Sequence, residues 1–180
     1  MKHLALPLGL TGMLALGGCA TPTTEIRTKT EIQAPVSVVW DVLRDFDRYP
    51  EWNPYHVKVS VLEDRDAGTL RLRDKIHVFI QKPDGHALDL KARIRVLDDG
   101  ERLYWGGGVK GVFHGEHRFV LTALGPDRTR LDHDEDFSGF ALPFVPLGPE
   151  AIERGYVLMN EALKARAEKI HRARSGMAAN

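Results

Sequence analysis

The chain has 180 residues, and its 25 Lys and Arg residues balance its 25 Asp and Glu residues, so the formal net charge is zero with histidine neutral. This balance argues against a nucleic-acid partner held by phosphate electrostatics. The length suits one domain with a proper core.

The first residues have the layout of a bacterial export signal. Lys2 and His3 precede an apolar run over residues 4–16 that is too short to span a bilayer comfortably. The run ends in LGGC, which resembles the bacterial lipobox. That resemblance implies removal of residues 1–18, a diacylglycerol on the Cys19 thiol and acylation of the new amine. The alternative is an ordinary signal peptide whose cleavage region happens to hold a cysteine.

The resemblance to lipoproteins also implies a location. Ala20 follows the cysteine where aspartate is associated with inner-membrane retention, so we expect a lipid-anchored, periplasm-facing protein of the outer membrane. A lipidated Cys19 leaves no thiol for a disulfide, a metal or a nucleophile, because the chain has one cysteine. The fold must then be stable through packing alone.

Residues 19–24 are predicted to form a short polar tether before a half-buried strand, TEIRTKTEIQA, in which apolar and polar residues alternate. Pro35 suits the first turn of the helix that follows. The next segment, DFDRYPEWNP, indicates a short second helix or a compact loop. The apolar positions of the first helix recur at helical spacing: Val36, Val39, Trp40 and Leu43.

About six further strands follow, separated by turn signals such as DDGE and GPDR. Their short connections favour antiparallel neighbours. The clearest strand places Leu88, Leu90, Ala92, Ile94 and Val96 on one face. We interpret the glycines of GGGVKG as a flexible turn, and we expect a break at Asp74 in the second of these strands. The six segments are VKVSV, TLRLRDKIHVFI, ALDLKARIRVL, RLYW, FHGEHRFVLTA and TRLDHDEDFSG.

A long amphipathic helix is predicted over residues 149–172, followed by a disordered tail over 173–180. This helix is the only element long enough to cover the apolar face of the sheet. The pattern therefore predicts an α+β fold with a sheet of about seven strands. The apolar stripe of the helix comprises Ile152, Tyr156, Met159, Leu163, Ala167 and Ile170.

Four segments together resemble the START-like, or SRPBCC, superfamily, in its polyketide cyclase/dehydrase-like branch. They are APVSVVWDVLRDFDRYPEWNP, GEHRF, HDEDFSGF and GYVLMNEALKARAEKI. The resemblance spans residues 25–172 and implies a helix-grip fold, in which a curved antiparallel sheet wraps the C-terminal helix around an apolar cavity. Members bind or carry lipids, isoprenoids and polyketides, and some catalyse cyclisation or dehydration.

The motifs of common catalytic centres are absent. His114 and His117 fit neither HExxH nor HxxEH, and on a strand they point to opposite faces, so we predict no metal site. No GxSxG occurs, and GGGVKG lacks the strand-to-helix context of a phosphate loop. We therefore expect no cofactor.

The last two strands carry a more informative pattern. If the hairpin between them pairs residue 123 with 129, His117 lies opposite Glu135 and Phe119 lies opposite His133, all facing inward. A slip by two would place His117 opposite His133 or Phe137. A buried carboxylate needs a partner. The pair is a structural couple, a polar anchor for a ligand or an acid/base couple.

We predict a cavity between this hairpin and the helix near Met159. Large apolar groups and a few polar ones typically line such pockets. Pro143 and Pro146 exclude a continuous helix or central strand over 140–147, so this loop either plugs the core or forms an apolar lip at the mouth. The full set of predicted ligand-binding residues is Trp52, Asn53, Trp105, Phe113, His117, Phe119, His133, Glu135, Phe137, Phe140, Phe144 and Met159.

Three functions fit this sequence. The first is a membrane-tethered carrier of an apolar or amphipathic small molecule. The second is a cyclase-, dehydratase- or hydrolase-like enzyme in which His117 and Glu135 are the acid and base. The third is an envelope adaptor that binds a partner through its surface and has a filled core.

Overall fold

The computed structural model describes residues 21–63 and 70–178. The predicted signal peptide and Cys19 lie outside these residues, as do 179–180 at the end of the predicted tail. The described secondary structure follows one strand, two short helices, six strands and a long helix. Its elements are β1 (Thr23–Ile32), α1 (Val36–Arg44), a 3₁₀ helix (Phe46–Glu51), β2 (His56–Val61), β3 (Lys75–Gln81), β4 (Ala87–Asp98), β5 (Arg102–Val109), β6 (Phe113–Gly125), β7 (Arg128–Ser138), a 3₁₀ turn (Leu142–Phe144) and α2 (Pro149–Ala178).

The seven strands form one antiparallel sheet in the order β1-β7-β6-β5-β4-β3-β2. The first strand therefore pairs with the last, and the sheet curves into a half-barrel around α2. α2 packs against β1, α1 and β7. The predicted helix-grip fold is confirmed.

The apolar stripe of α2 is buried as predicted. Tyr156, Met159, Leu163 and Ala167 are almost fully buried, whereas Glu161 is exposed. The helix continues to Ala178, so the prediction of a disordered tail from residue 173 was wrong for the described part. Residues 173–178 contain no proline, and alanine and arginine are good helix formers.

A bulge in β4 changes which of its residues face inward. The pairing of β4 with β5 shifts between Ile94 and Val96, so Leu97 rather than Val96 lies opposite the buried Leu103 and packs on the core. The inward placement of Val96 was therefore wrong. A bulge inserts one residue, and simple alternation cannot anticipate that change of face.

Two predicted boundaries also differ. Strand β3 begins only at Lys75, immediately after the predicted break at Asp74, and residues 70–73 are not in a strand. Gly106, Gly107 and Gly108 belong to β5 rather than to a turn, and the connection to β6 follows them at residues 110–112.

Candidate ligand-binding site

A cavity of about 150 Å³ lies between the sheet and the N-terminal half of α2. Its wall combines aromatic and aliphatic side chains with four polar groups that the sheet and helix bring together, two histidines, one glutamate and one tyrosine. The lining residues are His56, Val78, Ile80, Leu90, Lys91, Ala92, Trp105, Gly106, Gly107, Gly108, Phe113, Gly115, His117, Glu135, Phe137 and Tyr156.

The exposed end of the cavity lies beyond the last residue pair of β4 and β5, Arg93 with Gly106. β4 pairs with β5 over Arg93–Asp98, whereas its residues 87–93 pair with β3. The lining residues Leu90, Lys91 and Gly108 are exposed and mark the mouth. Glycine is required at Gly108, because its φ is +89° and a Cβ there would lie 2.2 Å from the backbone oxygen of Phe113.

A polar group forms one wall of the cavity. The hydroxyl of Tyr156 on α2 is hydrogen-bonded to Oε2 of Glu135 on β7. The same hydroxyl lies 3.0 Å from Nδ1 of His117 on β6. The predicted register, with His117 opposite Glu135, is confirmed. However, the two side chains do not bond directly, since His117 Nδ1 and Glu135 Oε2 are 4.0 Å apart and Tyr156 links them.

The hydrogen bonds continue from this wall into the core. His117 Nε2 lies 3.0 Å from His133 Nε2, and His133 Nδ1 lies 2.6 Å from Oδ1 of Asn160. Asn160 Nδ2 donates to the Thr28 hydroxyl at 3.0 Å, and that hydroxyl donates to the His133 carbonyl oxygen at 2.8 Å. We call this series of groups from Thr28 through Asn160, His133, His117 and Tyr156 to Glu135 the polar chain.

Aromatic packing fixes the orientation of the rings. The Trp105 indole stacks on His117 with centroids 4.6 Å apart and an interplanar angle of 1°, and Tyr156 stacks on His133 at 4.0 Å. Rings held by such stacking lose little further freedom when a ligand binds, so the wall is largely formed in advance.

Burial determines the protonation states of the titratable side chains at the cavity. It raises the pKa of Glu135 to about 7, and Asp136 acts in the same direction while the Tyr156 hydrogen bond opposes it. Burial lowers the pKa of His117 to about 3 and also lowers the pKa values of His56 and His133. At neutral pH the three histidines are therefore uncharged, and Glu135 lies close to its midpoint.

Five of the twelve predicted ligand-binding residues line the cavity. Phe119, His133 and Met159 are fully buried beside or beyond it and do not line it. The cavity lies one helical turn before the predicted position, beside Tyr156 rather than Met159. The five lining residues are Trp105, Phe113, His117, Glu135 and Phe137.

Four of the predicted ligand-binding residues lie away from the cavity, namely Trp52, Asn53, Phe140 and Phe144. Trp52 packs edge-on against Tyr49, with centroids 5.0 Å apart. Asn53 is buried, and its Oδ1 accepts hydrogen bonds from the backbone N–H groups of Tyr55 and His56. Phe140 and Phe144 are 65% and 85% exposed and do not line the cavity. Asn53 therefore has a structural role, since it terminates the loop before β2.

Three groups of the site escaped the sequence prediction as functional residues. His56 lines the cavity because a bulge between His56 and Lys58 turns it inward, and alternation from Val59 would have placed it on the other face. Its Nδ1 is buried without a hydrogen-bond partner in the described part of the chain. Tyr156 and Asn160 did carry a signal, since two polar groups four residues apart share the buried face of α2.

No group of three or more His, Cys, Asp or Glu residues within 21–63 and 70–178 is arranged to hold a metal ion. His114 is buried but lies beside Gly106 on the opposite face of the sheet from His117, as the strand alternation requires.

Comparison with known proteins identifies the family. A family model described as polyketide cyclase / dehydrase and lipid transport matches residues 23–168. The chain belongs to this family. Its fold is similar to that of the Zhui aromatase/cyclase from Streptomyces sp. R1128, with 18% identity and a TM-score of 0.65 over 82% of this chain and 95% of the other.

Two further solved structures share the fold. A START superfamily protein from Mycobacterium smegmatis is 19% identical, with a TM-score of 0.58 over 83% of this chain and 97% of that one. A norcoclaurine synthase from Thalictrum, crystallised with a transition-state analogue, is 14% identical, with a TM-score of 0.59 over 83% and 97%. These structures include a synthase and an aromatase/cyclase, so the fold by itself does not determine the activity of this chain.

Proposed function

We propose that this protein binds an apolar or amphipathic small molecule in the cavity beneath α2. The lining of the cavity carries this proposal, because Trp105, Phe113 and Phe137 supply apolar walls while His117 and Glu135 supply a few polar groups. Ligand pockets typically have this composition. Membership of a family described by lipid transport and polyketide cyclisation supports the same role.

The volume limits what can be enclosed. A cavity of about 150 Å³ holds a group the size of benzene. A larger ligand would place one ring or a short chain inside and extend through the mouth beside Leu90, Lys91 and Gly108. Burial of its apolar surface would supply most of the affinity, at about 25 cal/mol per Å². The presence of a cavity favours binding over an adaptor with a filled core.

Titration with toluene tests this proposal. We expect saturable binding that shifts the Trp105 indole N–H resonance in NMR spectra. Ala92→Leu adds volume at the cavity wall and should weaken toluene binding at least tenfold, whereas Ala87→Leu, at the exposed start of the same strand, should not. Equal binding by both variants, or no saturation in the wild type, would exclude the cavity as the site.

We also propose that lipid on Cys19 tethers the protein to the periplasmic side of the outer membrane. An exposed apolar patch, defined by Val109, Val112, Phe140 and Phe144, supports a membrane-facing orientation. The backbone N–H of Gly139 donates to the Pro22 carbonyl at 3.2 Å. Pro22, three residues along the chain from Cys19, therefore lies beside the residue that precedes Phe140 of this patch. No helix of the described residues is long and apolar enough to span a membrane.

Fatty-acid labelling tests the tether. Cys19→Ser should abolish incorporation of labelled acyl chains and block the linked processing, and Phe140→Ser with Phe144→Ser should leave labelling intact. Two or more acyl chains anchor stably, at ~0.8 kcal/mol per buried CH₂. An unmodified thiol on the mature wild-type protein would refute the proposal.

A second candidate function is acid–base catalysis in the same cavity. Glu135 supports this candidate, because it lies in the cavity wall, has a pKa raised to about 7 and is linked through Tyr156 to His117. Perturbed groups of this kind are concentrated at catalytic sites. pH-dependent turnover of a bound compound, lost in both His117→Ala and Glu135→Gln, would favour the enzyme.

A further inference from the structure

The polar chain contains enough hydrogen-bonding constraints to assign its protons. The assignment starts at the His133 carbonyl oxygen, which can only accept. Thr28 Oγ1, 2.8 Å away, must therefore donate its one proton there. Thr28 Oγ1 also lies 3.0 Å from the Asn160 side chain. Because the hydroxyl proton of Thr28 is already donated, Thr28 Oγ1 must accept a proton from Asn160. This requirement places the Asn160 NH₂ group toward Thr28 and its Oδ1 toward His133.

The direction of proton donation along the polar chain then follows for both histidines. Asn160 Oδ1 can only accept, so His133 carries a proton on Nδ1. In a neutral imidazole the other nitrogen is an acceptor, and His133 Nε2 must therefore receive a proton from Nε2 of His117. His117 Nδ1 is then also an acceptor, and Tyr156 donates its hydroxyl proton to it.

The last contact lies in the cavity wall. The only proton of Tyr156 is directed to His117, so the hydrogen bond between Tyr156 and Glu135 Oε2 must take its proton from Glu135. A carboxylate cannot supply it. We propose that the polar chain holds Glu135 as an un-ionised carboxylic acid, so that the cavity selects uncharged small molecules bearing a hydrogen-bond donor and rejects carboxylates.

The competing arrangement keeps the same number of protons but separates charge. It has an ionised Glu135 and a doubly protonated His133, both buried. Burial of either charge is unfavourable by several kcal/mol unless it is well paired. Burial moves the pKa values of Glu135 and His133 in the directions that disfavour both charges.

The surroundings of Glu135 do not stabilise an anion either. The groups that face it are His117 from β6, Tyr156 from α2 and the Tyr55 hydroxyl before β2, with Asp136 on its own strand. His56 from β2 lines the same cavity and is uncharged at neutral pH. Arg27 on β1 hydrogen-bonds Glu135 at its backbone carbonyl and pairs its charge with Asp136 and Glu25.

The ligand class follows from the remaining oxygen of Glu135. Oε2 is engaged by Tyr156, whereas Oε1 lies on the Gly115 side, 3.4 Å from where a Cβ would be. Glycine there leaves Oε1 open to the cavity, and the side chain keeps 16% of its surface exposed. In the un-ionised acid Oε1 is a carbonyl oxygen, which accepts a hydrogen bond from a hydroxyl or N–H group. This selectivity rests on the proposed binding function, but the proton assignment does not.

NMR of the ligand-free protein tests the proton assignment first. At a pH below the Glu135 midpoint of about 7, ¹⁵N spectra should show His133 protonated on Nδ1 and His117 on Nε2. The Glu135 carboxyl carbon, assigned with Glu135→Gln, should titrate well above an ordinary glutamate. Thr28→Val removes the hydroxyl that orients Asn160, so the His133 preference should be lost and the Glu135 midpoint should fall. Thr30→Val, on the same face of β1, should change neither. Protonation of His133 on Nε2 alone, or an ordinary Glu135 midpoint, would overturn the inference.

Three probes of similar size then test the ligand class. The probes are compared about one pH unit below the Glu135 midpoint, where benzoate is still ionised. Phenol should bind and benzoate should not. Anisole, which lacks a donor, should bind about tenfold more weakly than phenol, in line with the loss of one hydrogen bond. Benzoate binding as tightly as phenol would overturn the selectivity. If none of the probes bound although the tautomers were as assigned, the ligand class would fail together with the proposed function, whereas reversed tautomers would refute this inference alone.

Discussion

The two halves of α2 cover very different interiors. Beside Met159, Leu163 and Ala167 the space between helix and sheet is filled, and all three side chains are completely buried. One turn earlier, beside Tyr156, the same helix faces a cavity. The filled half contains aliphatic side chains from the helix, whereas the open half contains aromatic rings and glycines from β5 and β6.

This difference shows how one fold can combine stability with a binding site. The filled half provides a close-packed core, in which small volume changes are costly. The open half is lined by aromatic rings that pack on one another. The polar chain lies at the boundary and uses Tyr156 and Asn160 of α2 to join the two halves.

The filled half should be the more sensitive to a buried charge. Met159→Asp places an unpaired carboxylate in a site with no exposed surface, so we expect the free energy of unfolding to fall by about 3–5 kcal/mol. Glu161→Ala, on the exposed face of the same helix, should change it by less than about 0.5 kcal/mol. Urea denaturation measures both, and equal destabilisation would show that the helix face is wrongly assigned.

The open half should be sensitive to a single methyl group. A Cβ on Gly155 would lie 2.1 Å from the ring of Tyr55, which packs edge-on against Tyr156. Gly155→Ala should therefore force these rings apart, lower stability by about 1–3 kcal/mol and weaken binding in the cavity.

Gly176→Ala is the matched control in the same helix. A Cβ there has no neighbour within 4 Å, so the variant should gain up to about 1 kcal/mol from better helix propensity. Thermal denaturation compares the two variants. If both variants were destabilised, the loss of stability would come from replacing glycine in this helix and not from contact with Tyr55.

The titratable groups at the boundary between the halves should make the free energy of unfolding depend on pH. The raised pKa of Glu135 stabilises the fold fully below about pH 4.5, and this contribution is lost as the pH rises through about 7. The lowered pKa values of His56, His117 and His133 act oppositely, since their contribution is present above about pH 6.5 and is lost on acidification. With three histidines against one carboxyl, stability should rise between pH 4.5 and 6.5.

Glu135→Gln isolates the carboxyl contribution, because the amide can still donate to Tyr156. Its slope of unfolding free energy against pH should exceed that of the wild type by up to about 1.4 kcal/mol per pH unit between pH 4.5 and 6.5. Denaturant titrations at several pH values measure the slopes. A shallower slope in the variant would contradict the assigned protonation of Glu135.

Regular alternation made much of the fold and part of the site predictable. The β6–β7 register followed from the turn near Gly125 and placed His117 opposite Glu135, because side chains alternate strictly along both strands. The buried stripe of α2 followed from helical spacing in the same way. The resemblance to a known superfamily supplied the helix-grip arrangement that the periodicity alone left open.

Local irregularities were not predictable from alternation. Bulges in β2 and β4 turned His56 and Leu97 inward, and neither leaves a clear mark on the pattern of polar and apolar residues. The exposed end of the cavity depends on close backbone approaches of Gly107 to Lys91 in β4 and of Gly108 to Phe113 in β6, and a run of glycines is equally compatible with a turn. The link through Tyr156 depends on the depth at which α2 lies in the sheet, which is a tertiary property.

Native mass spectrometry of the protein extracted from its own membranes tests the central claim most directly. If the cavity is a binding site, the wild-type protein should carry a bound small molecule in addition to any lipid on Cys19. Ala87→Leu should keep that additional mass, and Ala92→Leu, which fills the cavity, should lose it. A wild-type protein without bound mass, or the same bound mass in Ala92→Leu, would contradict the account.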